Sequence, residues 1–144
     1  MKRGAAPFAA LALTGLTGCV AIDASKTALA CPAGEAQQQV AELALGRNIG
    51  QTVGVSEADF TRFLDEEVSP RFPDGLTVQD SQGRWLYNGV LYREPGKLLT
   101  LILSHPGDRA KLAAIAAAYE RRYRQDAVLI RVRPECVLFH MAKP

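Results

Sequence analysis

The run of residues 97–103 (KLLTLIL) constrains the fold more than any other stretch of this chain. Seven residues is a typical strand length, and segments containing proline and glycine bound the run at residues 95–96 and 105–107. Apolar side chains occupy both alternating sets of positions within it, as in a strand that is covered on both faces. We therefore expect residues 97–103 to form a central strand of the sheet.

The rest of the chain supplies two helices and further strands around this centre. Ser56 can cap a first helix that ends before Pro70, and Asp108 can cap a second helix whose buried stripe includes Tyr119. Turn-forming residues at 80–83 and 88–89 delimit a hairpin. The predicted order is strand 40–45, first helix, strand 76–79, hairpin strand 84–87, strand 97–103, second helix and strand 127–132, which is interrupted at Pro134.

This order predicts an α+β fold of the ferredoxin-like β-α-β-β-α-β type: an antiparallel four-stranded sheet, two helices on one of its faces, and a hairpin extension. The alternation that buries Leu99 and Leu101 under the helices also buries Val78 and Ile130 there, and it places Ile102 on the opposite face. Two helices cannot cover both faces. We therefore expect a homodimer through the second face, with a bound ligand or the N-terminal segment as the alternative covers. A further alternative is an apolar patch too small to need a cover.

The first 18 residues have the pattern of a lipoprotein signal peptide. Two basic residues precede an uncharged stretch at 5–16, and Leu-Thr-Gly-Cys at 16–19 forms a lipobox whose Cys19 thiol would accept the lipid. The alternative is an ordinary signal peptide cleaved after Ala30. We expect an exported protein on the periplasmic side of a bacterial membrane, and Val20 in place of an aspartate favours the outer membrane.

A tether and one domain follow the signal peptide. Residues 19–39 are rich in small and polar residues, and residues 40–144 form a single α+β domain. An exported protein meets an oxidising compartment, so we expect Cys31 and Cys136 to form a disulfide. The predicted fold agrees independently, because it brings the start of the first strand, near Cys31, to the end of the last strand, near Cys136. The alternative is two free buried thiols. Their spacing is not that of a metal site, and we expect no cofactor.

The charge of the chain argues against a nucleic-acid partner. Lys2 and Arg3 are the only charged residues before Cys19 and account for the formal net charge of +2. The mature chain therefore carries equal numbers of basic and acidic residues, without the excess of lysine and arginine typical of nucleic-acid-binding domains.

Several short segments resemble an uncharacterised family of exported bacterial proteins that is known only as a domain of unknown function. The most specific is residues 71–78 (RFPDGLTV), and residues 45–47 (LGR), 83–85 (GRW) and 93–97 (REPGK) add to it. The resemblance covers roughly residues 43–139. It implies export and one compact domain, and it carries no activity.

Polar and aromatic residues around the hairpin are the candidates for a ligand site. Loops over a rigid sheet often carry such sites, and arginines can bind a carboxylate or phosphate with two hydrogen bonds, so a small anionic ligand is one expectation. The alternative is that turn formation and local ion pairs explain these residues. The candidate ligand-binding residues are Arg71, Asp74, Trp85, Arg93, Glu94 and Lys97.

The sequence favours a binding or structural module of the cell envelope over an enzyme. His105 and His140 are the only histidines, and neither has a serine or carboxylate partner at a spacing that indicates catalysis. The alternative is a small-molecule enzyme or ligand sensor of the dimeric ferredoxin-like type, with its site near residues 71–97 or on the open sheet face. An enclosed pocket in which four residues converge would favour that alternative, namely Arg71, Trp85, Arg93 and Glu94.

Overall fold

The structure is a computed structural model, and it describes residues 29–141. The signal peptide and Cys19 lie outside the described residues. A π-helical turn at Leu64–Val68 continues the first helix. The elements are β1 (Ala36–Gly46), β2 (Asn48–Ile49), β3 (Thr52–Val53), α1 (Glu57–Phe63), β4 (Thr77–Tyr87), β5 (Val90–Leu103), α2 (Asp108–Tyr123) and β6 (Leu129–Val137).

The four long strands form one antiparallel sheet in the order β4-β5-β1-β6. The run at residues 97–103 belongs to β5, which pairs with β4 on one side and β1 on the other, so the predicted central position is confirmed. β6 lies antiparallel beside β1, as the split βαβ topology requires. The two helices and this sheet confirm the α+β prediction, and β2 and β3 form a separate two-stranded ribbon.

The core lies between the two helices and one face of the sheet. Leu43 and Leu99 face each other across β1 and β5 and are fully buried, as the alternation predicts. Phe63 of α1 packs edge-on against Tyr119 of α2, with ring centroids 4.9 Å apart. Aromatic rings of this size bury large apolar areas, so both helices contribute strongly to the core through them.

Two residues of the same alternation are more exposed than predicted. Val78 is 40% and Ile130 is 36% exposed, although both are on the helix-facing side of the sheet by register. They lie on β4 and β6, which are the edge strands, where the two helices no longer cover the sheet. The prediction that they belong to the core is therefore wrong.

The helix starts follow local hydrogen bonding. Ser56 caps α1 as predicted, because its hydroxyl accepts a hydrogen bond from the Asp59 N–H at 3.1 Å. The cap prediction for Asp108 is wrong: the residue preceding α2 is Gly107, with φ of +88°. Asp108 is the first residue of the helix, and its buried carboxylate instead accepts a hydrogen bond from the His105 N–H at 2.9 Å.

β4 and β5 continue well beyond the end of β1. The last β1–β5 pair is Gly46 with Gly96, whereas β4 and β5 pair as far as Tyr87 with Val90. The predicted turn at 80–83 is wrong, because these residues pair with residues 94–97 of β5. The turn at residues 88–89 is confirmed, with positive φ at both positions. We call residues 82–87 and 90–95 the arm.

β6 also runs through a predicted break. Pro134 pairs with Gln39 of β1 instead of interrupting the strand. A proline lacks an N–H, but β6 is an edge strand, so its outer side needs no ladder partner. A disulfide joins Cys31 to Cys136 near the end of β6 and ties the segment before β1 to it, with a Cα–Cα distance of 5.4 Å.

Candidate functional site

A cleft of about 490 Å³ opens where the arm leaves the sheet. Trp85 and Glu94 line it from the arm, and Asn48 and Gly50 line it from β2 and the turn after it. Residues 124–127, in the loop between α2 and β6, form its other wall. The volume lies within the range of small-molecule sites. We call this space the arm cleft.

Glu94 is held in the arm cleft by β1 and β2. Its Oε1 accepts a hydrogen bond from the Asn48 N–H at 2.8 Å. Its carboxylate also lies against Gly46, where an added Cβ would be 2.5 Å from Oε1. A glycine at position 46 is therefore required for Glu94 to occupy this position, since any side chain there would displace it.

The opposite wall is fixed to the same part of β2. Arg124 ends α2 in the left-handed conformation, with φ of +52°. The next residue, Gln125, donates hydrogen bonds from Nε2 to the Asn48 carbonyl at 2.6 Å and to the Tyr123 carbonyl at 3.3 Å. Asn48 therefore contacts both walls of the cleft through its backbone.

Two buried polar groups lie beneath the arm cleft. Tyr119 donates a hydrogen bond to the Gly46 carbonyl at 2.8 Å, and burial raises the pKa of this phenol, so it stays protonated and acts as a donor. The Oδ1 atom of Asn48 is buried and has no hydrogen-bond partner among residues 29–141. An unpaired buried acceptor of this kind reduces the free energy of unfolding.

Trp85 forms the aromatic side of the cleft. Its ring stacks on Tyr92 directly across the arm, with centroids 5.6 Å apart and planes 7° apart. The stacking fixes the indole although it remains partly exposed. The charged groups are Glu94 and Asp126, which are acidic, and Arg124, which is basic. The cleft can therefore accept a flat ring against Trp85 and offers one more acidic than basic group.

Lys97 is a predicted candidate that lies elsewhere, in an ion cluster in which the lysine is buried and its two carboxylate partners are exposed. It is 7% exposed, and its Nζ lies 2.5 Å from Asp80 Oδ1 and 2.8 Å from Glu57 Oε2. The hydrogen bonds that Lys97 donates to Asp80 and then to Glu57 raise the pKa of Lys97, and the bond to Asp80 lowers the pKa of that carboxyl group. Arg47 also pairs with Glu57. This arrangement joins α1, β4 and β5 and leaves the ammonium group paired.

The three remaining candidates do not line the arm cleft. Arg71 donates hydrogen bonds to Glu67, 2.8 Å from its carboxylate. Asp74 lies 3.4 Å from the Nδ1 atom of His105. Arg93 faces Arg84 across the arm, on the side away from Trp85 by strand alternation. The structure thus brings together Trp85 and Glu94 among the predicted residues and separates the other four from them.

No pattern in the sequence indicated the other residues of the cleft. Asn48 and Gln125 are 77 positions apart, and Asn48 and Glu94 are 46 apart. No motif links these positions. Among residues 29–141 there is no cluster of three or more potential metal ligands, and no helix in this range is long and apolar enough to span a membrane.

Comparison with solved structures identifies proteins of similar fold. A phage SAM lyase in its apo state is 15% identical to this chain, with a TM-score of 0.54 over 74% of this chain and 94% of the lyase. A phage SAM lyase in complex with S-methyl-5′-thioadenosine is 13% identical, with a TM-score of 0.56 over 79% of this chain and 97% of the lyase. At these identities the likeness shows the fold alone. No curated protein matches the chain.

One family model matches the larger part of the sequence. It covers residues 40–139. This range includes both helices and, except for the start of β1, all four strands of the main sheet. Its description is "Protein of unknown function (DUF3574)". The chain belongs to this family of unknown function.

Proposed function

We propose that this protein is an exported, lipid-anchored envelope protein whose domain binds a small molecule in the arm cleft. The observation that carries the proposal is the convergence of Trp85 and Glu94 with the 124–127 loop around a space of about 490 Å³. A few fixed polar groups beside an aromatic surface are typical of small-ligand sites. The lipobox ending at Cys19 supports the anchor and a location on the periplasmic side of the outer membrane.

The cleft favours a ligand with a flat ring and hydrogen-bond donors. Trp85 offers a ring face, and acceptors are available on Glu94 and Asp126. A positively charged or amino-bearing ring compound satisfies these groups better than an anion does, because acidic groups outnumber Arg124 here.

The ligand proposal can be tested by thermal shift and calorimetric titration of the mature domain. The panel contains nucleosides, including S-methyl-5′-thioadenosine and SAM, together with amino acids and small anionic metabolites. We expect a ring compound to raise the melting temperature, because a ligand that binds only the folded state stabilises it. Trp85→Ala and Glu94→Gln should weaken its binding about tenfold or more, equivalent to the loss of about 1.4 kcal/mol each.

Leu86→Ala is the matched control. Leu86 is an exposed arm residue next to Trp85 but on the other face by alternation, so its loss should leave binding unchanged. If no compound shifts the melting temperature, or if the control weakens binding as much as Trp85→Ala, the cleft is not the site.

An enzyme is the second candidate, and the likeness to the phage SAM lyase is the observation that favours it. Because that likeness shows the fold alone, it supplies a substrate to test and no catalytic residues. Incubation of the domain with SAM, followed by chromatography for S-methyl-5′-thioadenosine, distinguishes the candidates. Product formation that Glu94→Gln abolishes would support an enzyme, and binding without turnover would support a binding module.

The anchor has its own test. Cells fed with labelled fatty acid should incorporate the label into the wild-type protein, and Cys19→Ala should abolish both the labelling and the association with membranes. An unlabelled wild-type protein, or a membrane-bound Cys19→Ala variant, would contradict lipidation.

A further inference from the structure

We propose that the end of the domain opposite the arm rests on the lipid surface, with an apolar patch inserted at the membrane interface beside the anchor. The patch consists of four exposed residues: Leu29, Leu138, Phe139 and Met141. This inference rests on the proposed lipidation of Cys19 and is independent of any ligand in the arm cleft.

The patch is a local concentration of exposed apolar side chains. Leu138 is 59%, Phe139 is 66% and Met141 is 79% exposed, and these three follow β6 within four positions. The disulfide between Cys31 and Cys136 brings Leu29, two residues before Cys31, to the same end of the molecule. Neighbouring exposed apolar groups of this kind are typical of surfaces that bind a partner or a membrane.

The short tether favours the membrane as the surface that contacts the patch. Cys31 is twelve positions after Cys19, and a chain segment of this length spans at most about 42 Å when fully extended. The disulfide fixes Cys31 to the end of the sheet where β6 ends, so the patch is the part of the domain held nearest to the anchor. The 14-residue β5 places the arm tip about 45 Å from that end, so the tip can touch the bilayer only if the domain lies on its side or the tether is fully stretched.

The charges near the patch agree with a lipid surface. Residues 136–144 contain no acidic residue, and Lys143 in this range is basic. Apolar side chains that enter the interface beside basic residues bind membranes through buried area and attraction to anionic headgroups. The arm cleft would then face away from the membrane, open to soluble ligands.

The test uses the lipidated protein on vesicles containing brominated phospholipid, which quenches tryptophan fluorescence on contact. Trp85 is the only tryptophan, so Trp85→Phe with Phe139→Trp creates a single probe in the patch. We expect this probe to lose at least half of its fluorescence relative to vesicles of unbrominated lipid. The matched control, Trp85→Phe with Leu86→Trp, places the probe on the arm and should show no change.

Flotation of the vesicles separates the two proposals. A protein that does not float with the vesicles would overturn the anchor and this inference together. A protein that floats with an unquenched probe at position 139, or with equal quenching at position 86, would overturn this inference alone.

Discussion

At the scale of single residues, Lys97 shows how a strand position can carry a charge into the protein. The side chain lies on the helix-facing side of β5, and its ammonium group is 5.7 Å from the centre of the Phe60 ring. Asp80 and Glu57 supply the compensating charges. The sequence identified Lys97 as a candidate binding residue but did not reveal these partners, because Glu57 is 40 positions away on a helix.

Lys97→Met should destabilise the domain by about 1–2 kcal/mol at pH 7, because it removes two charge-assisted hydrogen bonds. The loss is no larger because the two exposed carboxylates that remain can be hydrated by water. The folded-state pKa of Asp80 and of Glu57 is lowered, so their contribution is complete above the unfolded carboxyl range and is lost as the pH falls through the folded pKa. The pKa of Lys97 is raised, so its contribution is lost only as the pH rises above about 10.4.

Urea unfolding of the wild type and of Lys97→Met at pH 7, 4 and 2.5 checks this prediction. The difference in free energy of unfolding should shrink as the pH falls. A difference that stays constant down to pH 2.5 would show that packing of the lysine side chain, and not its ion pairs, accounts for the effect. Arg62→Met, which removes an exposed pair with Asp59, is a matched control and should change stability little.

At the scale of elements, the pattern of apolar residues predicted strand and helix identity well, and the boundaries less well. The alternation in β5 and the stripe of α2 follow directly from burial against one core. The error at residues 80–83 has a physical cause: Asp-Ser-Gln-Gly is a turn-forming composition, but eleven paired positions with β5 outweigh the local preference. The small ribbon of β2 and β3 and the 124–127 wall of the cleft depend on long-range contacts, which local patterns do not contain.

The disulfide is the device that holds β6 and the tether together. Because it spans 105 positions, the chain-entropy model gives it a stabilisation of about 4.7 kcal/mol, and measured values for native bridges are about 2–5 kcal/mol. Protein purified from the export compartment should yield a Cys31–Cys136 cross-linked peptide by non-reducing mass mapping. Cys31→Ser with Cys136→Ser should unfold at a lower urea concentration, and two alkylatable thiols in the native, unreduced protein would contradict the pairing in cells.

At the scale of the whole molecule, the sheet face opposite the helices is only partly covered by the chain itself. Val40 on this face is 5% exposed, whereas Leu129 is 65% exposed. Phe139, Ile102 and Thr100 line a common hollow of about 280 Å³. The segment after β6 therefore covers part of one end of this face. The sequence could not indicate this, because the contact is long-range and lies outside the pattern of strands and helices.

We expect the remainder of this face to form a homodimer. Leaving apolar side chains in water costs about 25 cal/mol per Å², and a symmetric pair of faces removes that surface from water in both copies at once. Glu42 accepts hydrogen bonds from Arg131 on the same face, so the charged groups there are already paired and need not oppose association.

Ile102→Glu should convert the dimer to a monomer on a sizing column with light scattering, because it buries a carboxylate without a partner at the interface. Leu86→Glu, on the arm, should leave the dimer intact, and circular dichroism checks that both variants are folded. A wild-type domain that is monomeric at high concentration would contradict the dimer and leave the face open to a ligand or to the N-terminal segment.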